Sequence, residues 1–223
     1  MARVITAEKS TIPRRPGRPP RAVGVQLADQ ILDAAQDFFL KQGYEATTVE
    51  AIATRIGATK RTIYVRFVDK AQLFRAVVTR VLHSRRPRLN TIGLDREIED
   101  RLTDMGTAIL RYILDPIVVS VTRVVAAEAY RFPELNEMIE EQAAQGLTPA
   151  LSQMLEEEVE SGRLELPDVA LAARLLLSLL TGQPEKNALR GARPFGHTDR
   201  QGWVQGAVSL FLEGARPRSI GQC

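Results

Sequence analysis

Cysteine is almost absent from the chain. The one cysteine in 223 residues, Cys223, is the last of them, so no intrachain disulfide can form, and neither a thiol catalyst nor a metal cage is expected. Histidine is nearly as scarce: His83 and His197 are the only two, they lack metal-ligand spacing, and no Gly-rich phosphate loop accompanies them. Catalytic residues, metal ligands and cofactors are therefore all expected to be none. Long apolar runs are missing too. The richest, VALAARLLLSLL from Val169 to Leu180, is interrupted by Arg174 and is too short to span a bilayer. The first residues, MARVITAEKSTIPRRPGRPPR, hold no apolar run of the kind a secretory signal needs, so a cytoplasmic protein without a membrane partner is expected.

What is present is an ordinary globular balance, 44% apolar and 26% charged, with an uneven charge distribution. Residues 1–86 hold 16 Lys/Arg against 7 Asp/Glu, and the remainder holds 14 against 20. A basic first part suits a polyanion, and the acidic remainder has another task, although a basic face can also be merely solvated. Residues 1–24 set Arg3, Lys9, Arg14, Arg15, Arg18 and Arg21 among four prolines, which predicts a flexible basic arm. Arg18 and Arg21 are candidates to enter a DNA minor groove; the alternative is a solvated tail. Pro16-Gly17-Arg18-Pro19 resembles the Gly-Arg-Pro core of AT-hook peptides, with Pro16 where those have arginine.

The stretch from Thr47 to Lys70 organises the first part. Val49, Ile52, Ala53 and Ile56 fall on one face of a short helix, with Thr47 expected to cap it and Glu50 to complete a capping box. Gly57 breaks the pattern, and Thr59 caps a second short helix whose Ile63 and Phe67 point back at the first. This is a helix-turn-helix, whose second helix fits a DNA major groove. A preceding helix, with Leu27, Ile31, Ala35, Phe38 and Phe39 on one stripe and Gly43 at its end, braces the pair. At about 100° per residue, Arg61 and Val65 point away from the core, flanked by Thr62 and Tyr64, with Lys60 at the exposed start. Arginine offers guanine a bidentate fork and valine offers a thymine methyl an apolar surface. Tyr64, Thr59 and Lys60 are placed for phosphates, which position without reading sequence. Asp69 and Gln72 cap a further helix, and Lys70 in its first turn opposes the helix dipole, a cost that a phosphate would offset.

The residues Ile31 to Val78, and within them Phe38-Phe39, Gly43-Tyr44, Thr47-Thr48, Ile52-Ala53, Gly57, Tyr64, Phe67, Lys70 and Leu73-Phe74, resemble the DNA-binding domain of the TetR family of bacterial transcriptional repressors. The resemblance implies DNA contact at Thr48, Thr59, Lys60, Arg61, Thr62, Tyr64 and Lys70, and Thr47 is a further candidate for DNA contact. Val65-Arg66 departs from the family's frequent histidine or tyrosine, which bears on base preference. GLTPALSQMLEEEVESGRLELPDVALAARLLLSLLTG, with EAYRFPEL from Glu128, resembles the C-terminal domain of one TetR subgroup. The fold expected is all-α: a three-helix helix-turn-helix domain over 25–68 and a larger helical effector-binding and dimerisation domain over 69–223.

Beyond Pro87, Ile98, Leu102, Met105, Ile109 and Ile113 form one helical stripe, and Val118, Val121, Val124 and Val125 another. The segment from Val169 to Leu180 is apolar almost all round, and a second helix expected over about 201–212 carries Trp203, Val204, Ala207, Val208 and Phe211. They are expected to bury Leu175, Leu176, Leu179, Trp203, Val204, Ala207, Val208 and Phe211 against the same pair from a second copy, forming a homodimer; an intramolecular core is the other reading. The resemblance implies a small-molecule effector, with Met105, Ile109, Arg111, Leu114, Val121, Val125, Glu128, Phe132, Met138 and Met154 as candidate lining. Glu128, on an apolar stripe, either orients a ligand or pairs with Arg111 or Arg123. Two functions remain open: a ligand-released repressor on a double-stranded DNA operator, and a DNA-binding regulator or activator that needs no effector.

Overall fold

The computed structural model describes residues 21–89, 96–130, 133, 137, 146–192 and 196–215. Every element among them is helical, as expected. In chain order these are α1 (Arg21–Ala46), α2 (Val49–Arg55), α3 (Lys60–Tyr64), α4 (Lys70–Arg85), α5 (Ile98–Ile113), α6 (Pro116–Glu128), α7 (Leu147–Glu160), α8 (Val169–Leu189) and α9 (His197–Ala215). α1 begins at Arg21, inside the stretch expected to be an arm; Arg18 lies outside the described residues. At Gly43 the helix breaks with φ 82° and ψ 175°.

Two cores result. The first gathers Ile31, Ala35 and Phe39 of α1, Ile52 of α2, Ile63 of α3 and the Leu73, Phe74, Val77 and Val78 face of α4. Phe39, Tyr44 and Phe74 meet there ring to ring, with centroids 4.9 to 5.8 Å apart, an arrangement worth about 0.5–1.5 kcal/mol per pair beyond burial. The second gathers the expected stripe of α5, which is fully inside, with Leu151, Met154 and Leu155 of α7 and residues of α8 and α9. α4 thus belongs physically with the first core rather than with the effector domain that was expected to begin at residue 69.

α6 joins the two. Asp115 caps it through the Ile117 and Val118 amides at 2.8 and 3.3 Å, with Pro116 at a position where a missing N–H costs nothing. Val118, Val121 and Val125 pack into the first core. On another face Arg123 donates to the Leu189 and Ala188 carbonyls at 3.1 and 2.9 Å, closing the C-terminus of α8. Tyr112 of α5 makes a second link, its hydroxyl donating to the Leu82 carbonyl at 3.3 Å. Burial pushes the Tyr112 phenol above its ordinary pKa, so it remains a donor at neutral pH.

α8 runs through Pro184 to Leu189, beyond the Leu180 end expected from its apolar run. Proline lacks the N–H that the Leu180 carbonyl would accept in a regular helix. The Trp203 indole of α9 fills that place, donating to Leu180 at 2.9 Å and to Leu179 at 3.2 Å.

Candidate nucleic-acid interface

The turn between α2 and α3 is fixed by backbone bonds before any ligand arrives. Thr48, not Thr47, caps α2, its hydroxyl accepting from the Ala51 amide at 3.2 Å. α2 closes with the Ala58 amide on the Ala53 carbonyl (2.9 Å) and the Gly57 amide on Thr54 (3.2 Å), the Schellman pairing. It places Gly57 at φ 65°, where a side chain would be strained. Thr59 then caps α3, accepting from the Thr62 amide at 3.2 Å and meeting the Thr62 hydroxyl at 2.9 Å. Five residues are too few for a helix to stand alone, so packing holds α3. Ile63 is 1% exposed, and Phe67 packs on the same core.

With that face buried, the other side of α3 is presented outward. Arg61 is exposed, Tyr64 is 40% exposed and Val65 74%, which agrees with the orientation expected from helical geometry. Lys60 is exposed and bound to Glu50 of α2 across the turn. Their hydrogen bond raises the Lys60 pKa and lowers that of Glu50, so both stay charged. Glu50 is therefore engaged with Lys60 rather than with a capping box at Thr47. Val68, 77% exposed beside α3, was not anticipated. It lies past the last helical turn, where periodicity carries no information.

Two side chains expected at DNA are engaged within the protein instead. Thr47 is 1% exposed, and its hydroxyl donates to the Gly43 carbonyl at 2.7 Å, so its side chain anchors the α1–α2 connection. The Lys70 ammonium donates to the carbonyls of Tyr44 (3.0 Å), Thr47 (3.1 Å) and Glu45 (3.4 Å), and lies 4.3 Å from the Tyr44 ring centroid. Its three N–H donors are spent on carbonyls left by the break at Gly43. Lys70 thus fixes how α2 leaves α1.

The expected effector lining is dispersed. Val121 and Val125 sit in the first core, and Met105, Ile109 and Met154 are buried in the second with Leu114 against it. Phe132 and Met138 lie outside the described residues. Arg123 is held by the end of α8, and Arg111 lines a cavity between α5 and α9, so neither is the partner expected for Glu128. The expected dimer face divides as well. Leu176, Val204, Ala207 and Val208 belong to the chain's own core, and Trp203 and Phe211 pack against it. Leu175 and Leu179 are 54% and 38% exposed, joined by Leu171 at 43% and Leu210 at 61%. A buried network was not anticipated: Arg101 of α5, 3% exposed, holds Glu158 (2.5 Å) and Glu157 (2.8 Å) of α7, and Arg163 binds Glu158 at 2.5 Å.

A basic face on the second helix of a rigid helix-turn-helix, tied to an all-helical body, defines a DNA-binding regulator. Residues 31–77 match the model for bacterial regulatory proteins of the tetR family, and residues 100–214 match the C-terminal domain of AefR-like transcriptional repressors. The chain belongs to the TetR family of transcriptional regulators. It is 32% identical over 83 residues to the HTH-type transcriptional repressor ComR of Escherichia coli K12, covering 36% of this chain and 40% of ComR. Among solved structures it is similar to the flavonoid-responsive regulator FrrA, with 27% identity and a TM-score of 0.76 over 87% of this chain and 100% of that one. A TetR-family regulator from Mesorhizobium loti superposes with a TM-score of 0.77 at 23% identity, over 86% and 98% of the two chains. Among the described residues no helix is long and apolar enough to cross a membrane, and no cluster of three or more metal-ligating side chains occurs.

Proposed function

We propose that the chain is a homodimeric repressor of a double-stranded DNA operator, released by a small-molecule ligand bound among its C-terminal helices. The observation that carries the DNA reading is the outward set Arg61, Tyr64 and Val65 on a helix whose opposite side is locked by Ile63 and Phe67. Arg61 and Val65 read base edges, while Thr48, Thr59, Lys60, Thr62 and Tyr64 approach the backbone. Lys60 does so while sharing its charge with Glu50.

Dimerisation is supported by the exposed leucines of α8 and α9, which adjoin small residues Gly202, Gly206 and Gly214 that let a second helix approach closely. A two-fold pair would present two α3 helices to half-sites about 34 Å or a multiple apart. Ligand control is supported by α6, which packs on α1 and α4 and also closes α8, so a shift among the C-terminal helices reaches the reading head through packed contacts. The ligand must favour one spacing of the heads over the other, since occupancy alone shifts nothing. That FrrA is flavonoid-responsive agrees with such control. The test is selection of genomic fragments by the full chain, followed by a screen for compounds that release them. Specific fragments and a releasing compound are expected; specific fragments that no compound releases would leave a regulator without the effector.

A further inference from the structure

We infer that the groove between α5 and α9 is a binding site for a small organic monocarboxylate, gripped by Arg111 and Arg200. Thr103, Thr107 and Arg111 follow one another at i, i+4 and i+8 along α5, so they share a stripe, and α9 packs beside that stripe with Arg200 and Val204 likewise four apart. Between the helices lies a cavity of about 330 Å³, a size that falls at the lower end of the ~300–1,000 Å³ of small-molecule sites. Leu110 and Val204, each 1% exposed, form its floor.

The lining fixes the chemistry of the occupant. Asp104 is the one carboxylate among the lining residues, and Arg96 from outside the cavity is bound to it. Among the described residues, no carboxylate of the lining pairs with either Arg111 or Arg200. Arg200 spends one N–H on the Gly196 carbonyl at 3.4 Å, leaving its terminal nitrogens. A planar fork of this kind matches a carboxylate, and the Thr103 and Thr107 hydroxyls and the Gln201 amide offer further bonds. A second cavity that shares Thr103 is lined by Glu97, Glu99 and Asp100 of α5 and its approach and by Gln205, Gly206 and Ser209 of α9. Arg96 pairs with Asp100 as it does with Asp104, yet three carboxylates gathered beside Thr103 still disfavour a second negative charge, so the body of the ligand is uncharged and rests on the apolar floor.

Of the expected effector lining the site takes Arg111, whereas Met105, Ile109 and Met154 lie buried in the core, and its occupancy does not depend on the repressor reading. Control through it would rest on that reading. α9 carries both Arg200 and the outward Gly202, Gly206 and Leu210, so a ligand that draws α9 toward α5 acts on the helix that the dimer would use.

Titration calorimetry of the full chain with benzoate and with hexanoate tests the site, with benzamide as the uncharged isostere. Expected are a Kd on the order of 0.1–1 mM for at least one carboxylate and weakening by about tenfold or more in each of Arg111→Gln and Arg200→Gln, with no measurable heat from benzamide. NMR methyl shifts at Val204 and Thr107 in the unaltered protein give a second reading that does not depend on how the variants fold. Absence of binding by both carboxylates, equal binding of benzamide, or shifts confined to other methyls would overturn the inference. Operator release is measured separately, so failure here leaves the repressor reading standing and failure there leaves the site.

Discussion

Arg61 and Lys70 are both cations of the helix-turn-helix, and their surroundings give them opposite tasks. Arg61 is exposed on the outward side of α3, whereas Lys70 is folded onto three carbonyls and an aromatic ring. Arg61→Ala is expected to cost about 1–3 kcal/mol of operator binding and to relax preference at a single base pair. Equal losses on operator and random duplex, in a titration at fixed salt, would remove Arg61 as a base reader. Lys70→Gln is expected to weaken binding while leaving the slope of log affinity against log salt unchanged, because no phosphate contact is lost. A slope reduced by about one unit would show that Lys70 turns outward to a phosphate on DNA. Glu50 and Lys60 show why sequence alone misassigned this corner: their bridge crosses the turn between two helices, and helical spacing within either one does not reveal it.

At the scale of elements, α8 and α9 are held together at the point where α8 departs from regular geometry. Pro184 leaves the Leu180 carbonyl without its intrahelical donor, and Trp203 supplies one. Trp203→Phe is therefore expected to destabilise by about 1–3 kcal/mol through the orphaned acceptor and lost packing. Pro184→Ala, which restores a backbone donor, should recover part of that loss in the double variant. Urea unfolding of all four proteins measures the coupling, and strict additivity would exclude this account of the pair. The helices themselves were legible in the sequence, because the α5 stripe from Ile98 to Ile113 and the caps at Thr59 and Asp69 are local signals. Which apolar face meets which core was not legible. Val121 and Val125 read equally well as lining for an effector pocket and as packing for α1 and α4, and only the path of α6 between the two cores decides. The same holds for α9, where Val204 and Val208 face inward and Leu210 outward although all three are simply apolar in sequence.

For the molecule as a whole, the C-terminal core contains an ionic lock that acid can open. Arg163, through its hydrogen bond, and then Arg101 hold the buried Glu158 carboxylate below its ordinary pKa of 4.5, against a desolvation cost that acts the other way. A depressed folded pKa means that the lock stabilises the protein fully above 4.5 and loses that contribution as pH falls through and below it. Glu158→Gln, which leaves the buried Arg101 with Glu157 as its remaining carboxylate partner, is expected to cost about 1–3 kcal/mol in urea unfolding at neutral pH. It should also flatten the stability profile in the acid range, and an unchanged acid profile would contradict the lock. The two cores, joined by α6 and Tyr112, make a body that can hold one reading head at a fixed place. One head alone has too little surface to define a long operator, so the central claim is that two heads read DNA together. The most direct test is a quantitative footprint of the full chain on a selected genomic fragment, repeated with Leu175→Glu and Leu210→Glu in the exposed face of α8 and α9. The account predicts two symmetric protected half-sites whose centres lie about one helical turn or a multiple apart, both lost when these substitutions make the chain monomeric. A single unsymmetric site, unchanged in monomeric variants, would contradict it.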